Sequence, residues 1–245
     1  MYEEIGFMAA SFPWTPDDIR IRVTRAVGHY WQMRTGQAAS GGLDTGSRSE
    51  VTGGQHLTGF LGLLVELTGI AGYHTSEIRT SDGVVIPGFY RPNKKWDLVV
   101  VRDGRLCAAL ELKSQVGPSF GNNFNNRTEE ALGNAVDLWR AFQEKVLGAH
   151  PPWLGYIFLL EDALKSSRAV GLPNAVFESD PIFRDTSYAE RYQILCQRLV
   201  LERHYNAAAF VLSKRATDGG YTEPSKDLAI EPFLKAFYGH LIGCL

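Results

Sequence analysis

The stretch Trp96-Asp97-Leu98-Val99-Val100-Val101-Arg102-Asp103-Gly104-Arg105-Leu106-Cys107-Ala108-Ala109-Leu110-Glu111-Leu112-Lys113 decides how this chain is read. Two apolar runs flank Asp103-Gly104, a strong hairpin signal. They predict strands over Trp96 to Val101 and Arg105 to Lys113. Asp97, Glu111 and Lys113 each interrupt an otherwise apolar run, and a buried strand does not tolerate unpaired charge cheaply. A metal ion is the natural compensation for two acids brought together.

Side chains alternate along a strand, so Glu111 and Lys113 share a face. A two-residue Asp103-Gly104 turn would pair Asp97 with Leu110 and set the two acids on opposite faces. A three-residue loop, Arg102-Asp103-Gly104, with Gly104 as a left-handed bulge residue, pairs Val101 with Arg105 and Asp97 with Ala109. Asp97 and Glu111 then become diagonal neighbours, roughly 7–8 Å apart at the backbone. The other face becomes wholly apolar: Trp96, Leu98 and Val100 with Leu106, Ala108, Leu110 and Leu112. Both requirements select the bulged loop.

Two carboxylates so placed can hold Mg²⁺, a hard cation that prefers oxygen, with the Leu112 carbonyl and a phosphate oxygen completing the shell. Such an ion acidifies a bound water and neutralises charge growing on a phosphate. Lys113 would orient that water or help take its proton, and would stabilise the transition state. The expected outcome is in-line hydrolysis of a phosphodiester. As a bare pattern, Asp-x13-Glu-x-Lys also occurs on exposed sheet edges, where the charges are merely solvated.

Working outward, Thr15-Pro16-Asp17-Asp18 reads as an N-cap, a first-turn proline and first-turn acids. The helix that follows carries Ile19, Val23, Ala26, Val27 and Tyr30 to about Arg34. The glycine-rich loop 41–49 lacks the Gly-Lys-Ser/Thr ending of a phosphate-cradling loop. A second helix is expected over Gln55 to Ala71, with Leu57, Phe60, Leu61, Leu64 and Thr68 on one stripe. Val84 to Ile86 is a short candidate strand. Ser114 to Asn126 reads as a polar loop, followed by a helix from about Arg127 to Leu147 capped by Asn126 and Glu129. Trp153 to Leu160 and Ala207 to Leu212 read as strands; Tyr188 to His204 and Ser225 to Leu241 read as helices. These elements predict one α/β domain over residues 1–245, a mixed sheet with helices on both faces.

The 245 residues are 44% apolar and 11% aromatic, ample for a packed core. Three distant cysteines, Cys107, Cys196 and Cys244, argue against a disulfide scaffold or zinc finger and fit a reduced cytoplasm. The start lacks the basic and apolar regions of a signal peptide, and Leu57 to Ala71 is too short to span a bilayer, so a cytoplasmic protein with no membrane contact is expected. The six histidines are scattered, and no zinc is expected. Trp139 and Phe142 read as core. Formal net charge is −2, so nucleic-acid binding would need a locally basic cleft.

Residues 87 to 140 add a further signal. The runs Pro87-Gly88-Phe89-Tyr90-Arg91-Pro92-Asn93-Lys94-Lys95-Trp96-Asp97-Leu98 and Glu111-Leu112-Lys113-Ser114-Gln115-Val116-Gly117-Pro118-Ser119-Phe120-Gly121-Asn122-Asn123-Phe124-Asn125-Asn126-Arg127-Thr128-Glu129-Glu130 closely resemble the XhoI family of type II restriction endonucleases. Ser47 to Gly54 is similar to that family as well. The resemblance implies a PD-(D/E)XK nuclease fold and a dimeric enzyme that cuts a CTCGAG-type palindrome in double-stranded DNA, leaving 5′ overhangs. It also implies a cognate methyltransferase that protects host DNA. Asp97 matches the motif's first acid, Glu111 the second and Lys113 its lysine, with Trp96 in place of the proline. Gln115, two residues beyond Lys113, matches an extended Glu-x-Lys-x-Gln and is expected to position water or phosphate.

Nucleases of that fold also aim an acid from an early helix at the site, which makes Glu66 a candidate, against the plain reading of a solvated glutamate. Asparagine pairs bidentately with adenine and arginine with guanine, so Asn122, Asn123, Asn125, Asn126 and Arg127 are candidate base readers. Lys94, Lys95, Arg48, Lys214 and Arg215 are candidate phosphate contacts. Two rival readings stand: a nuclease of the same fold with another DNA substrate, and a DNA-binding module without catalysis.

Overall fold

The computed structural model describes residues 11–39, 56–173 and 175–245. Its centre is a five-stranded sheet in the order β1 (Ile78–Arg79), β4 (Leu98–Arg102), β5 (Arg105–Gln115), β6 (Trp153–Glu161), β7 (Ala207–Ser213). β1, β4 and β5 run antiparallel, whereas β5, β6 and β7 run parallel. All nine residues of β6 are buried, as expected for a parallel strand covered on both faces. Ile157 and Leu159 point to one side and Tyr156, Phe158 and Leu160 to the other.

Helices cover both faces, as the sequence predicts. On one lie α1 (Pro16–Ala39), α2 (Thr58–Ile70) and α6 (Ile230–Gly243), which bring Val23, Val27 and Tyr30, Phe60, Leu64 and Leu67, and Phe233, Phe237 and Leu241 to the core. On the other lie α3 (Phe120–Gln143) and α5 (Tyr188–Leu201), contributing Ala131, Ala135 and Leu138 with Tyr192, Cys196 and Leu199. Thr15 caps α1 as its sequence indicates: its Oγ1 accepts from Asp18 N at 3.2 Å while Asp18 Oδ2 accepts from Thr15 N at 2.9 Å. The strands β1 and Asn93–Lys95 and the single turn α4 (Leu164–Ser167) fell outside the sequence reading. The expected helix from Ser225 is a 3-10 turn, Lys226–Leu228, before α6.

The hairpin corrects the sequence reading in its mechanism but not in its consequence. Asp103 and Gly104 both take positive φ, 51° and 71°, so the turn is the two-residue kind and Arg102 pairs with Arg105. The register then shifts between Val100 and Val101, because Val100 pairs with Ala108 and Val101 with Leu106. Cys107 is the extra residue. It and Ala108 both face the α1–α2–α6 side, while Leu106 turns to the α3–α5 side. The bulge thus sits inside β5, not in the loop. Trp96 and Leu106, expected on the fully apolar face, lie on the opposite one. The ladder ends at the Leu98–Leu110 pair; beyond it Asp97 N donates to Leu110 O and its carboxylate accepts from Leu112 N, which seats Asp97 against the stretch of β5 that carries Glu111.

The start of α3 is the second correction. The expected loop over Asn122 to Asn126 is helical, with Ser119 at the N-cap, so Asn126 is not a cap. Asparagine is a poor helix former. Phe120 and Phe124, one turn apart, supply the stabilisation: Phe120 stacks on Tyr188 at 6.2 Å between centroids and Phe124 meets Tyr192 edge-on at 5.1 Å. The helix also holds a small hairpin, β2 (Val85–Pro87) with β3 (Asn93–Lys95). Asp137 on α3, buried, accepts from Phe89 N and Tyr90 N, each at 2.8 Å, and from Arg91 Nε at 2.8 Å. Gly88 lies where a Cβ would come within 2.4 Å of the Asp137 carboxylate.

Two outcomes follow from this architecture. Deleting Cys107 removes the odd residue and drives Glu111 toward the apolar face; loss of the cooperative thermal transition is expected, and an unchanged melt would mean the turn re-adjusts the register. Asp137→Ala leaves two amide donors and a guanidinium without their acceptor, which should cost about 2–4 kcal/mol by urea unfolding.

Candidate active site

β5 is the frame. Glu111, Lys113 and Gln115 alternate along it on the α3–α5 side, and Asp97 enters from the residue before β4. Asp97 is locked to β5 on both sides of Glu111: its N–H donates to Leu110 O at 3.1 Å, and its Oδ2 accepts from Leu112 N at 2.7 Å. The backbone of the central strand therefore fixes the first acid against the second.

Glu111 is 1% exposed. Its Oε1 lies 2.5 Å from Lys113 Nζ and its Oε2 2.7 Å from Lys94 Nζ. Burial alone would raise the carboxyl, but the two ammonium groups outweigh it and hold Glu111 below the usual carboxylate range, hence ionised. Burial would likewise depress Lys113, and Glu111 with Asp97 outweigh that, so Lys113 is held above its ordinary value as an ammonium. Asp97 has no such partner. Burial first, and then the Glu111 charge, push it up to about 6.

Two buried carboxylates this close, one pushed up partly by the charge of the other, mark a functional-site candidate. The oxygens of Asp97 and Glu111 and the nearby Leu112 carbonyl make a hard, all-oxygen donor set that fits a divalent cation such as Mg²⁺. Among the described residues, no group of three or more His, Cys, Asp or Glu side chains is placed to hold a metal.

Lys94 was expected at a phosphate; it instead reaches into the site, over the Trp96 ring at 4.6 Å. Its pairing with Glu111 depends on β3, the strand the sequence reading missed. Three residues, Asn93-Lys94-Lys95, two of them charged, leave too little periodic signal to read as a strand. Gln115 is buried and donates from Nε2 to Val116 O at 2.7 Å.

The remaining candidates divide. Arg127 joins the site's electrostatics, since its like charge works against Lys113 keeping its proton, but its guanidinium is paired with Glu130 and little exposed, which does not present it to a base edge. Its Nε is buried without a partner among the described residues, as are the Tyr156 and Tyr192 hydroxyls. Asn122, Asn125 and Asn126 are exposed on the first turns of α3, while Asn123 donates to Ser119 O at 2.7 Å. Lys95 and Lys214 are exposed. Arg215 is held by Glu161 at 3.1 Å, a carboxylate that also accepts from Gly117 N at 2.8 Å. Glu66 is not brought to the site: it pairs with Arg22 of α1 at 2.6 Å, and α2 packs on the other face of the sheet. Arg48 lies outside the described residues.

Comparison with known proteins identifies the family. The family model described as restriction endonuclease XhoI matches residues 36–223, a span that contains every residue of the site. The chain belongs to the XhoI family of restriction endonucleases. It is 45% identical over 208 residues to the type II restriction enzyme BstVI of Geobacillus stearothermophilus, covering 82% of this chain and 93% of that one. To the type II restriction enzyme XhoI of Xanthomonas vasicola it is 46% identical over 160 residues, 64% of each chain. To AbrI of Azospirillum brasilense it is 43% identical over 157 residues, 62% of this chain and 70% of that one. No solved structure matches it. It is thus a type II restriction endonuclease, an enzyme class that acts on double-stranded DNA and generally needs a divalent metal. No helix among the described residues is long and apolar enough to cross a membrane.

The Asp97 carboxyl gives a stability prediction with a definite sign. Its folded value of about 6 exceeds its ordinary 3.8, so the native state binds the extra proton and loses stability as pH rises through 6. Asp97→Asn should therefore raise the stability of the protein in EDTA at pH 7.5 by roughly 1–3 kcal/mol. The gain should fade below pH 4, where both forms are neutral. Denaturation series at the two pH values check this; equal effects at both would place the charge cost elsewhere.

Proposed function

We propose that this XhoI-family member is a Mg²⁺-dependent, homodimeric endonuclease that cuts both strands within a CTCGAG-type palindrome and leaves 5′ overhangs. The observation that carries this reading is the Asp97 carboxylate anchored on β5 at Leu112 N, one residue from Glu111, with Lys113 paired to Glu111 on the same strand. Asp97, Glu111 and the Leu112 carbonyl would hold the ion. When bound, it supplies an acidified water and neutralises charge on the phosphate.

The chain's own residues do the rest. Lys113, held as an ammonium by Glu111, cannot take a proton in that form; it orients the attacking water and steadies the charge that grows on the phosphate. Gln115, with Nε2 engaged by Val116 O, has its amide oxygen left to position water or phosphate. Asn122, Asn125 and Asn126 present amides from the start of α3, suited to the major groove. Asn123 and Arg127, both engaged within the helix, hold that surface in shape. Lys95 and Lys214 suit backbone phosphates, and Arg215 reaches them only by leaving Glu161; Arg48 is a phosphate candidate on sequence alone.

A palindrome cut on both strands calls for two sites related by a two-fold axis, hence a dimer of this single-domain chain. Host DNA carrying the same palindrome calls for a cognate methyltransferase, and so for a cytoplasmic enzyme. The similarity to an enzyme named XhoI supports the choice of site, as does the resemblance of residues 87–130.

The test is digestion of unmethylated DNA containing CTCGAG by the purified protein, in Mg²⁺ or in EDTA, with the fragment ends mapped. Discrete Mg²⁺-dependent cuts at that palindrome, with 5′ extensions, are expected. Cuts at other sequences would overturn the specificity alone. Absence of any cut in Mg²⁺ or Mn²⁺ would overturn the catalytic reading, and retained binding without cleavage would favour a DNA-binding module.

A further inference from the structure

Lys94 stands apart from the Glu-x-Lys pattern, yet its ammonium is as deep in the site as that of Lys113. Its side chain is 11% exposed, and Nζ donates to Glu111 Oε2 at 2.7 Å and to Lys95 O at 2.9 Å. With Lys113 on Oε1, both Glu111 oxygens carry a cation. A divalent ion bound through Glu111 therefore competes with them for the same two oxygens. Lys113 is fixed by the central strand of the sheet. Lys94 projects from a three-residue strand of the separate β2–β3 hairpin, on four methylenes that can swing while the hairpin's loop stays clamped by Asp137.

We propose that Lys94 is an internal counter-cation that occupies Glu111 until a divalent metal displaces it, and that the scissile phosphate is the anion that then receives it. This rests on reading Asp97 and Glu111 as the metal ligands. Asp97 and Glu111 already share the site with two ammonium groups, Lys94 and Lys113, before any metal enters. Adding a dication without an anion overloads it with positive charge. A DNA phosphate offsets that charge and gives Lys94 a new partner. Metal and DNA thus bind with reciprocal positive coupling, and metal loading in the absence of DNA is weak by construction.

Titration of the metal-free full chain with Mn²⁺ alone, free ion being read by electron paramagnetic resonance, tests this. Lys94→Met should bind Mn²⁺ roughly tenfold to a hundredfold more tightly than the parent, the factor expected for releasing one charge-assisted pair. Lys94→Arg, which keeps the cation, and Lys95→Met, which removes an exposed neighbour, should bind as the parent does. Asp97→Asn should lose the site. Parent-like or weaker binding by Lys94→Met, with Asp97→Asn binding lost, would sink the counter-cation while leaving the metal ligands in place. Parent-like binding by Asp97→Asn would overturn the ligand assignment itself.

A second reading needs no variant. Amine acetylation of the parent, mapped by mass spectrometry, should speed up severalfold at Lys94 when Mn²⁺ is added and stay constant at Lys95. An unchanged Lys94 rate at saturating Mn²⁺ would also overturn the displacement.

Discussion

The Glu111 carboxylate is the constraint around which this molecule is arranged. A charge at 1% exposure on the central strand of a sheet would be untenable alone, and removing water from it costs several kcal/mol even after relaxation. Two features answer that cost. Lys113 comes from the same strand two residues on, which only the pleat requires. Lys94 comes from a separate hairpin, and that hairpin in turn needs a mooring. Asp137 provides it by gathering two amides and a guanidinium from loop 88–91 onto α3. Charge pairs thus tie the helix to the hairpin and the hairpin to the central strand.

Charge placement also explains why β5 is irregular. The tight Asp103-Gly104 turn suits the twist of the flanking strands, but by itself it would leave Asp97 and Glu111 on opposite faces. One extra residue restores the parity. The need for such a residue was legible from the alternation of charged and apolar positions. Its location was not, because the turn could have absorbed it as easily as the strand. The structure keeps the favourable turn and places the bulge at Cys107, where two consecutive small side chains, Cys107 and Ala108, fit side by side against one helical layer. Leu106 and Trp96 are carried to the other face as a result.

Elsewhere the sequence was read correctly where a residue's own chemistry dominated and misread where a distant partner did. Thr15 and Asp18 cap α1 through contacts three residues apart, and the apolar periods of β6 and β7 declare buried parallel strands. The asparagine-rich start of α3 declares a loop, and by local propensity it should be one. Its helix exists because Phe120 and Phe124 dock on Tyr188 and Tyr192, more than sixty residues away in the chain. Glu66 looked unpartnered for the same reason: Arg22, forty-four residues earlier, completes it. Lys94 belongs to this class too, since nothing between Lys94 and Glu111 announces that they meet.

The internal pairing of charge bears on how a protein of net charge −2 handles a polyanion. Arg91, Lys94, Lys113, Arg127 and Arg215 are each engaged by a carboxylate of the same chain: Asp137, Glu111 for both lysines, Glu130 and Glu161. Cations so held exert little long-range pull, and a phosphate must compete with an acid already in place. Nonspecific attraction, which depends on unpaired lysine and arginine along a surface, is correspondingly modest. A correctly shaped duplex can offer several phosphates at once, so that the internal pairs exchange partners together rather than singly. Exchange of that kind favours DNA that fits over DNA that is merely charged, and it places the gain in selectivity at the same groups that hold the empty-handed enzyme together.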